Sequence, residues 1–191
     1  MSVLLRSITV AALALASVAP LAAQGGSATA LLVSGPSVGR RAPNFTLPWA
    51  NKDGIGPAGA PYELWRDRGK TVVLAFYPKD FTSGCTAELR TFAEQYDSLF
   101  GPGVVVLGVS RDSLESHVRF ATSLALPFRL LSDPDQAVAR TFGSNGEEYM
   151  HRTVYVIGPT GAVTYRNLSF NALDPRHYAE LAGAVRAARG G

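Results

Sequence analysis

The chain has 191 residues, of which 47% are hydrophobic and 17% are charged, as in a globular protein. Once an N-terminal leader is set aside, about 150 to 165 residues remain, which suits one domain with a full core. The formal net charge is only +3 and the basic residues are dispersed. This charge distribution excludes a nucleic-acid-binding footprint, so we expect no nucleic-acid partner.

The N-terminus is typical of an export signal. Arg6 precedes an apolar run over residues 8–19, and Pro20 ends that run short of the roughly 20 residues that span a bilayer. Small residues follow, with a cut expected after Ala23. We predict a signal peptide over 1–23, a Gly/Ser/Ala-rich flexible lead-in over 24–37 and one domain over 38–191. The protein is then exported, periplasmic or extracellular; an N-terminal membrane anchor is the alternative.

Strand-like and helix-like segments alternate through the rest of the chain. An apolar run over 71–77, ended by Pro78, predicts a buried strand. Apolar residues then recur at 3–4 residue steps up to Phe100, which predicts one amphipathic helix. Further on we expect strands over 104–109, 128–131, 153–157 and 162–168, and helices over 113–124, 134–142 and about 175–189. The alternation predicts an α/β fold with a central mixed β-sheet flanked by helices, consistent with a thioredoxin-like arrangement.

Cys85 is the only cysteine, and it lies between the first predicted strand and the first predicted helix. One cysteine cannot form an internal disulfide, so in an exported protein the thiol is reactive, paired between molecules, or buried and inert. A helix N-terminus stabilises a thiolate, which is the nucleophilic form. Cys85 is therefore a candidate nucleophile.

Four stretches, in order, resemble the peroxiredoxin family, and most of all its bacterioferritin-comigratory branch of Q-type, thioredoxin-dependent peroxide reductases. They lie within residues 38–48, 76–88, 107–134 and 152–157, and the likeness extends over about 38–185. The second stretch carries the family's spacing Pro-x3-Thr-x2-Cys at Pro78, Thr82 and Cys85. The resemblance implies a thioredoxin-like fold and a thiol-dependent peroxidase that reduces hydrogen peroxide and organic hydroperoxides in antioxidant defence.

The resemblance also implies roles for individual residues. Cys85 would attack the peroxide and become a sulfenic acid, while Arg152 would lie beside it and stabilise both the thiolate and the transition state. Thr82 would orient the peroxide, Pro78 would shape and shield the pocket, and Glu88 is a candidate to hold the arginine. No metal or other cofactor is expected.

One departure from the family pattern concerns the second thiol. Many Q-type members carry a resolving cysteine five residues after the first, and here that position is Arg90. The likeness therefore implies a one-cysteine mechanism that depends on an external thiol reductant, either a thioredoxin-like protein or a small thiol. A homodimer is also compatible with the sequence.

Simpler interpretations of the same residues stay open at this point. Thr82 or Ser83 could be a helix N-cap, Pro78 could only end a strand, Arg152 could be a surface arginine, and Glu88 a first-turn carboxylate. Solvated loop charges explain Lys79 and Asp80 equally well. Surface or packing roles are expected of the three histidines, at positions 117, 151 and 177.

Two other function classes compete with the peroxidase. A thioredoxin-like thiol–disulfide oxidoreductase usually needs Cys-x-x-Cys, and the segment around Cys85 offers no second thiol. A redox-sensing or copper-handling module would need two soft ligands or a Cys/His cluster.

Overall fold

The computed structural model describes residues 35–190. The predicted signal peptide, and all of the predicted lead-in except residues 35–37, lie outside the described residues. Within residues 35–190, no helix is both long and apolar enough to cross a membrane.

A seven-stranded mixed sheet forms the centre of the molecule, in the order β3-β2-β7-β6-β5-β8-β9. β5 is an internal strand, parallel to β6 and antiparallel to β8. β1 and β4 pair separately as a two-stranded sheet. The strands are β1 (Thr46–Leu47), β2 (Trp49–Asn51), β3 (Gly54–Ile55), β4 (Tyr62–Glu63), β5 (Val72–Phe76), β6 (Val105–Ser110), β7 (Arg129–Ser132), β8 (Thr153–Ile157) and β9 (Val163–Asn167).

Helices cover both faces of this sheet, so the described part of the chain has the predicted α/β fold. They are α1 (Ser83–Glu94), α2 (Tyr96–Leu99), α3 (Leu114–Ser123), α4 (Ala137–Thr141) and α5 (Pro175–Arg189), with a short 3-10 helix at Leu64–Asp67. Alternate residues of β5 face opposite sides: Val73 packs with α1 and α5, whereas Leu74 packs with the N-terminal strands and α4. Both faces of β5 are therefore buried, as its continuous apolar sequence predicts.

The strand register brings the loop that follows β5 and the residue that precedes β8 to the same end of the sheet. Phe76, the last residue of β5, pairs with Thr153, the first residue of β8. Because the strands are antiparallel, the loop that leaves β5 towards α1 lies next to Arg152, which immediately precedes β8. The fold thus positions Arg152 beside the start of α1.

Several elements differ from their predicted limits. The helix predicted to run on to Phe100 is interrupted at Gln95, whose φ of −108° and ψ of 23° lie outside the helical region. After the break, Tyr96 stacks on Phe128 and also contacts Phe100, so tertiary packing overrides the continuous apolar spacing. The helix predicted over 134–142 is confined to α4, because the residues before it form a turn with Gln136 at a positive φ of 54°.

Candidate active site

Cys85 is the third residue of α1 and is fully buried. The first backbone bond of the helix runs from Thr86 N to Thr82 O at 2.8 Å. The N–H groups of Ser83, Gly84 and Cys85 therefore precede the intrahelical ladder, and the positive end of the helix dipole lies at the thiol. This environment favours a negative charge on sulfur.

Arg152 links the thiol to a buried carboxylate. Its Nη2 donates to Cys85 Sγ at 3.3 Å, and its Nη1 donates to Glu88 Oε2. The arginine side chain is only 17% exposed, so it is not the surface arginine of the simpler interpretation. Burial alone lowers the pKa of Arg152, but the charges of Glu88 and Cys85 raise it above its usual value. A fixed positive charge thus lies against the sulfur.

Glu88 lies one helical turn after Cys85 and is fully buried. Burial raises the pKa of this carboxyl to about 7, although the Arg152 guanidinium opposes the shift. Its second oxygen, Oε1, has no hydrogen-bond partner among the described residues. Glu88 therefore holds one arm of the arginine at a cost in desolvation.

Thr82 occupies the N-cap position of α1, but its side chain caps no backbone N–H. Instead its Oγ1 donates to Lys79 O at 3.0 Å. A hydroxyl that donates in this way keeps lone pairs to accept a further hydrogen bond. Thr82 is thus the N-cap of α1 by position but not by hydrogen bonding, and its hydroxyl can still accept a hydrogen bond from a substrate.

Pro78 follows β5 and is partly buried. It lines a shallow cleft together with Lys79, Arg111 and Tyr149. Hydrogen bonds join Cys85, Arg152 and Glu88 directly, whereas Pro78 and Thr82 belong to the loop that leads into α1.

An open cleft of about 430 Å³ lies beside this group, lined by Gly84, His151, Arg152 and residues 168–173. A Cβ added to Gly84 would lie 3.1 Å from Arg152 Nη2. The glycine therefore leaves room for the guanidinium to approach the helix start.

Sequence reasoning missed a buried polar group in the same loop. Asp80 is only 4% exposed, and His117 is fully buried and lies 3.0 Å from it. The interpretation of Asp80 as a solvated loop charge is therefore wrong. The two residues are far apart in sequence, so only the polar character of each was visible.

Within residues 35–190, no group of three His, Cys, Asp or Glu side chains is placed to hold a metal ion.

Comparison with known proteins decides the family. A model of the AhpC/TSA family matches residues 38–166. The chain belongs to the AhpC/TSA family. The putative peroxiredoxin bcp of Coxiella burnetii is 39% identical over 135 residues, which covers 66% of this chain and 85% of that protein. Peroxiredoxin Bcp of Bacillus subtilis is 36% identical over 132 residues, covering 65% and 80%.

Solved peroxiredoxin structures share the fold. Peroxidoxin BcpB from Mycobacterium tuberculosis superposes with a TM-score of 0.67 at 27% identity, over 80% of this chain and 97% of that one. A cysteine-to-serine mutant of PrxQ from Xylella fastidiosa gives 0.67 at 26% identity, over 81% and 98%. This peroxiredoxin therefore has the predicted thioredoxin-like fold and is a thiol-dependent peroxidase with an antioxidant role. The oxidoreductase and sensor alternatives are not favoured.

Proposed function

We propose that Cys85 is the residue that reduces peroxide and that Arg152, Glu88, Thr82 and Pro78 form its site. The observation that carries the proposal is the hydrogen bond of 3.3 Å from Arg152 Nη2 to Cys85 Sγ. A permanent cation against a thiol at a helix N-terminus favours the thiolate, which is the form that attacks.

The reaction begins with the Cys85 thiolate and the terminal oxygen of a hydroperoxide. A sulfur–oxygen bond forms while the oxygen–oxygen bond breaks, and the leaving oxygen takes a proton to become water or an alcohol. The thiol is oxidised to a sulfenic acid and the peroxide is reduced by two electrons. Arg152 stabilises the negative charge as it moves from the sulfur to the leaving oxygen, and the Thr82 hydroxyl accepts a hydrogen bond from the peroxide O–H.

The resting state is restored by an outside thiol. The sequence holds one cysteine, and Arg90 stands where a resolving cysteine occurs in many Q-type members. Two equivalents of an external thiol, from a thioredoxin-like protein or a small molecule, return the sulfenic acid to thiol with release of water and a disulfide. The substrates are hydrogen peroxide and organic hydroperoxides.

One experiment tests the role of Cys85. Reduced protein treated with one equivalent of hydrogen peroxide should gain one oxygen atom by intact-mass analysis, and a carbon-acid reagent should trap the product as a sulfenic acid. Cys85→Ser should lose both the adduct and peroxidase turnover with a supplied thiol. Turnover by Cys85→Ser at the parent rate would contradict the mechanism.

A further inference from the structure

The loop that leads into α1 is held by a buried polar cluster outside the thiol site. Its centre is the Asp80 carboxylate, whose side chain is 1% exposed. Tyr77 Oη donates to Asp80 Oδ1 at 2.7 Å, and Ser116 Oγ donates to Oδ2 at 2.8 Å. His117 Nδ1 lies 3.0 Å from the same Oδ2. The Asp80 carboxylate thus contacts three side chains, one of them just after β5 and two of them on α3.

His117 extends the cluster to the sheet. Its ring is fully buried, and its Nε2 lies 3.2 Å from Leu131 O in β7. The ring therefore bridges the active-site loop on one side and the backbone of the sheet on the other. Each ring nitrogen of His117 thus lies within hydrogen-bond distance of an oxygen.

The backbone of Asp80 is fixed as well. Asp80 N donates to Asp112 Oδ2 at 2.9 Å, and that oxygen also accepts from Ser110 Oγ at 2.7 Å. Burial and the Asp80 charge raise the pKa of Tyr77 well above its usual value, so its phenol remains a donor. The contacts of Asp80 thus connect the loop to α3 and to the segment that follows β6.

The residue that follows Asp80 has a strained backbone. Phe81 has a positive φ of 61°, which is unfavourable for a bulky side chain. Its ring is 53% exposed yet lies 4.9 Å from the Phe120 ring on α3. Such a conformation persists only where surrounding contacts determine it. Phe81 directly precedes Thr82, so the strained turn sets the direction of the Thr82 hydroxyl.

We propose that Asp80, held by His117, is a positioning residue for peroxide reduction. It fixes the turn through Phe81 so that the Thr82 hydroxyl faces the substrate. Asp80 acts through Thr82 and not through the charge on sulfur. This inference rests on the proposed function of Cys85 and Thr82.

Single-turnover oxidation by hydrogen peroxide tests the proposal. Asp80→Asn keeps the shape of the side chain but removes the charge that collects three partners. It should slow sulfenic acid formation in the folded protein at least tenfold, while the thiolate content at neutral pH, read by ultraviolet absorbance, stays at the wild-type value. An unchanged rate, or a loss of thiolate that accounts for the slowing, would overturn the proposal.

A double-mutant cycle identifies the route of the effect. Thr82→Val removes the hydroxyl that Asp80 is proposed to orient. Adding Asp80→Asn to Thr82→Val should then slow the reaction less than twofold. A full further tenfold loss would show that the two residues act independently and would refute the positioning role.

Two more variants separate positioning from stability. Asp133→Asn alters another buried carboxylate, which accepts from Val138 N and Ala139 N at 3.3 and 2.8 Å. It should lower the urea midpoint and leave the oxidation rate unchanged.

If Asp80→Asn does not fold, Ser116→Ala tests the positioning role in its place, because it removes one hydrogen bond to Asp80. A slowing of at least twofold supports the proposal, and the parent rate contradicts it.

The outcomes also distinguish this proposal from the one it rests on. If wild-type protein forms no sulfenic acid on Cys85, both proposals fail. If wild type is oxidised and Asp80→Asn matches its rate, only the positioning role fails.

Discussion

Arg152 contributes to the site through the shape of its guanidinium as well as through its charge. Nη2 contacts the Cys85 sulfur while Nη1 contacts Glu88, so one planar group orients itself against a carboxylate and presents a donor to the thiol. A lysine has one nitrogen and cannot make both contacts in the same geometry. The fork therefore supplies orientation that a point charge does not.

We expect Arg152→Ala to leave less thiolate on Cys85 at neutral pH and to slow peroxide attack at least about tenfold, a loss of about 1.4 kcal/mol in transition-state stabilisation. Arg152→Lys should keep part of the thiolate but still react more slowly than wild type. Stopped-flow oxidation and ultraviolet titration of the thiol measure both effects. Arg176→Ala is the control, because Arg176 is 83% exposed and pairs with Asp174. Equal rates for Arg152→Ala and Arg176→Ala would exclude Arg152 from the reaction.

The Glu88–Arg152 pair joins α1 to the residue that immediately precedes β8. It is a buried pair whose desolvation is not fully offset, because the pKa of Glu88 rises to about 7 from its ordinary 4.5. A carboxyl with a raised pKa in the folded state binds its proton more tightly there than in the unfolded chain. Its contribution to stability is therefore complete below pH 4.5 and is lost as pH rises through about 7.

Glu88→Gln should abolish this pH dependence. The amide oxygen of glutamine can still accept from Arg152 but does not titrate. Between pH 4.5 and 8, the free energy of unfolding of wild type should fall relative to that of Glu88→Gln by on the order of 3 kcal/mol. Urea denaturation of both proteins at the two pH values measures the difference. A difference that stays constant with pH would show that Glu88 does not titrate in this range.

The strands and helices with strong sequence signals were predictable. β8 at Thr153–Ile157 and α5 at Pro175–Arg189 match their predicted ranges, because a β-branched apolar run and a helix with proline in its first turn are strong local signals. The strands β1 to β4 have only two or three residues each and were not predicted. Strands that short carry no measurable alternation, and their pairing depends on tertiary contacts.

The candidate site likewise has one part that the sequence predicts and one part that it does not. Cys85 and its neighbours could be found because the loop from Pro78 to Glu88 is one continuous motif. Asp80 and His117 could not be identified as a buried pair, because the partners of that carboxylate come from two separate segments and a polar residue carries no sequence sign of its burial. The local pattern predicts a candidate nucleophile, whereas the network that holds its loop is visible only in the fold.

The N-terminal end of the described chain is hydrogen-bonded to the central sheet and to one of its turns. Gly39 N donates to Val163 O at 2.8 Å, and Ala42 N donates to Gly161 O at 2.9 Å. These bonds attach the segment before β1 to the turn that joins β8 and β9 and to the start of β9. The expected cut after Ala23 lies upstream of all of them, so cleavage would leave these contacts intact.

We propose that the protein is exported and that its mature chain begins near Gln24. Arg6 followed by an apolar run and small residues is the pattern that signal peptidase substrates share. N-terminal sequencing of the exported fraction should return a start near Gln24. A chain expressed from Gln24 should unfold at the same urea midpoint as the full chain, since it retains all of residues 35–190 and the contacts described among them. Recovery of an intact Met1 chain in membranes would contradict cleavage and favour an anchor.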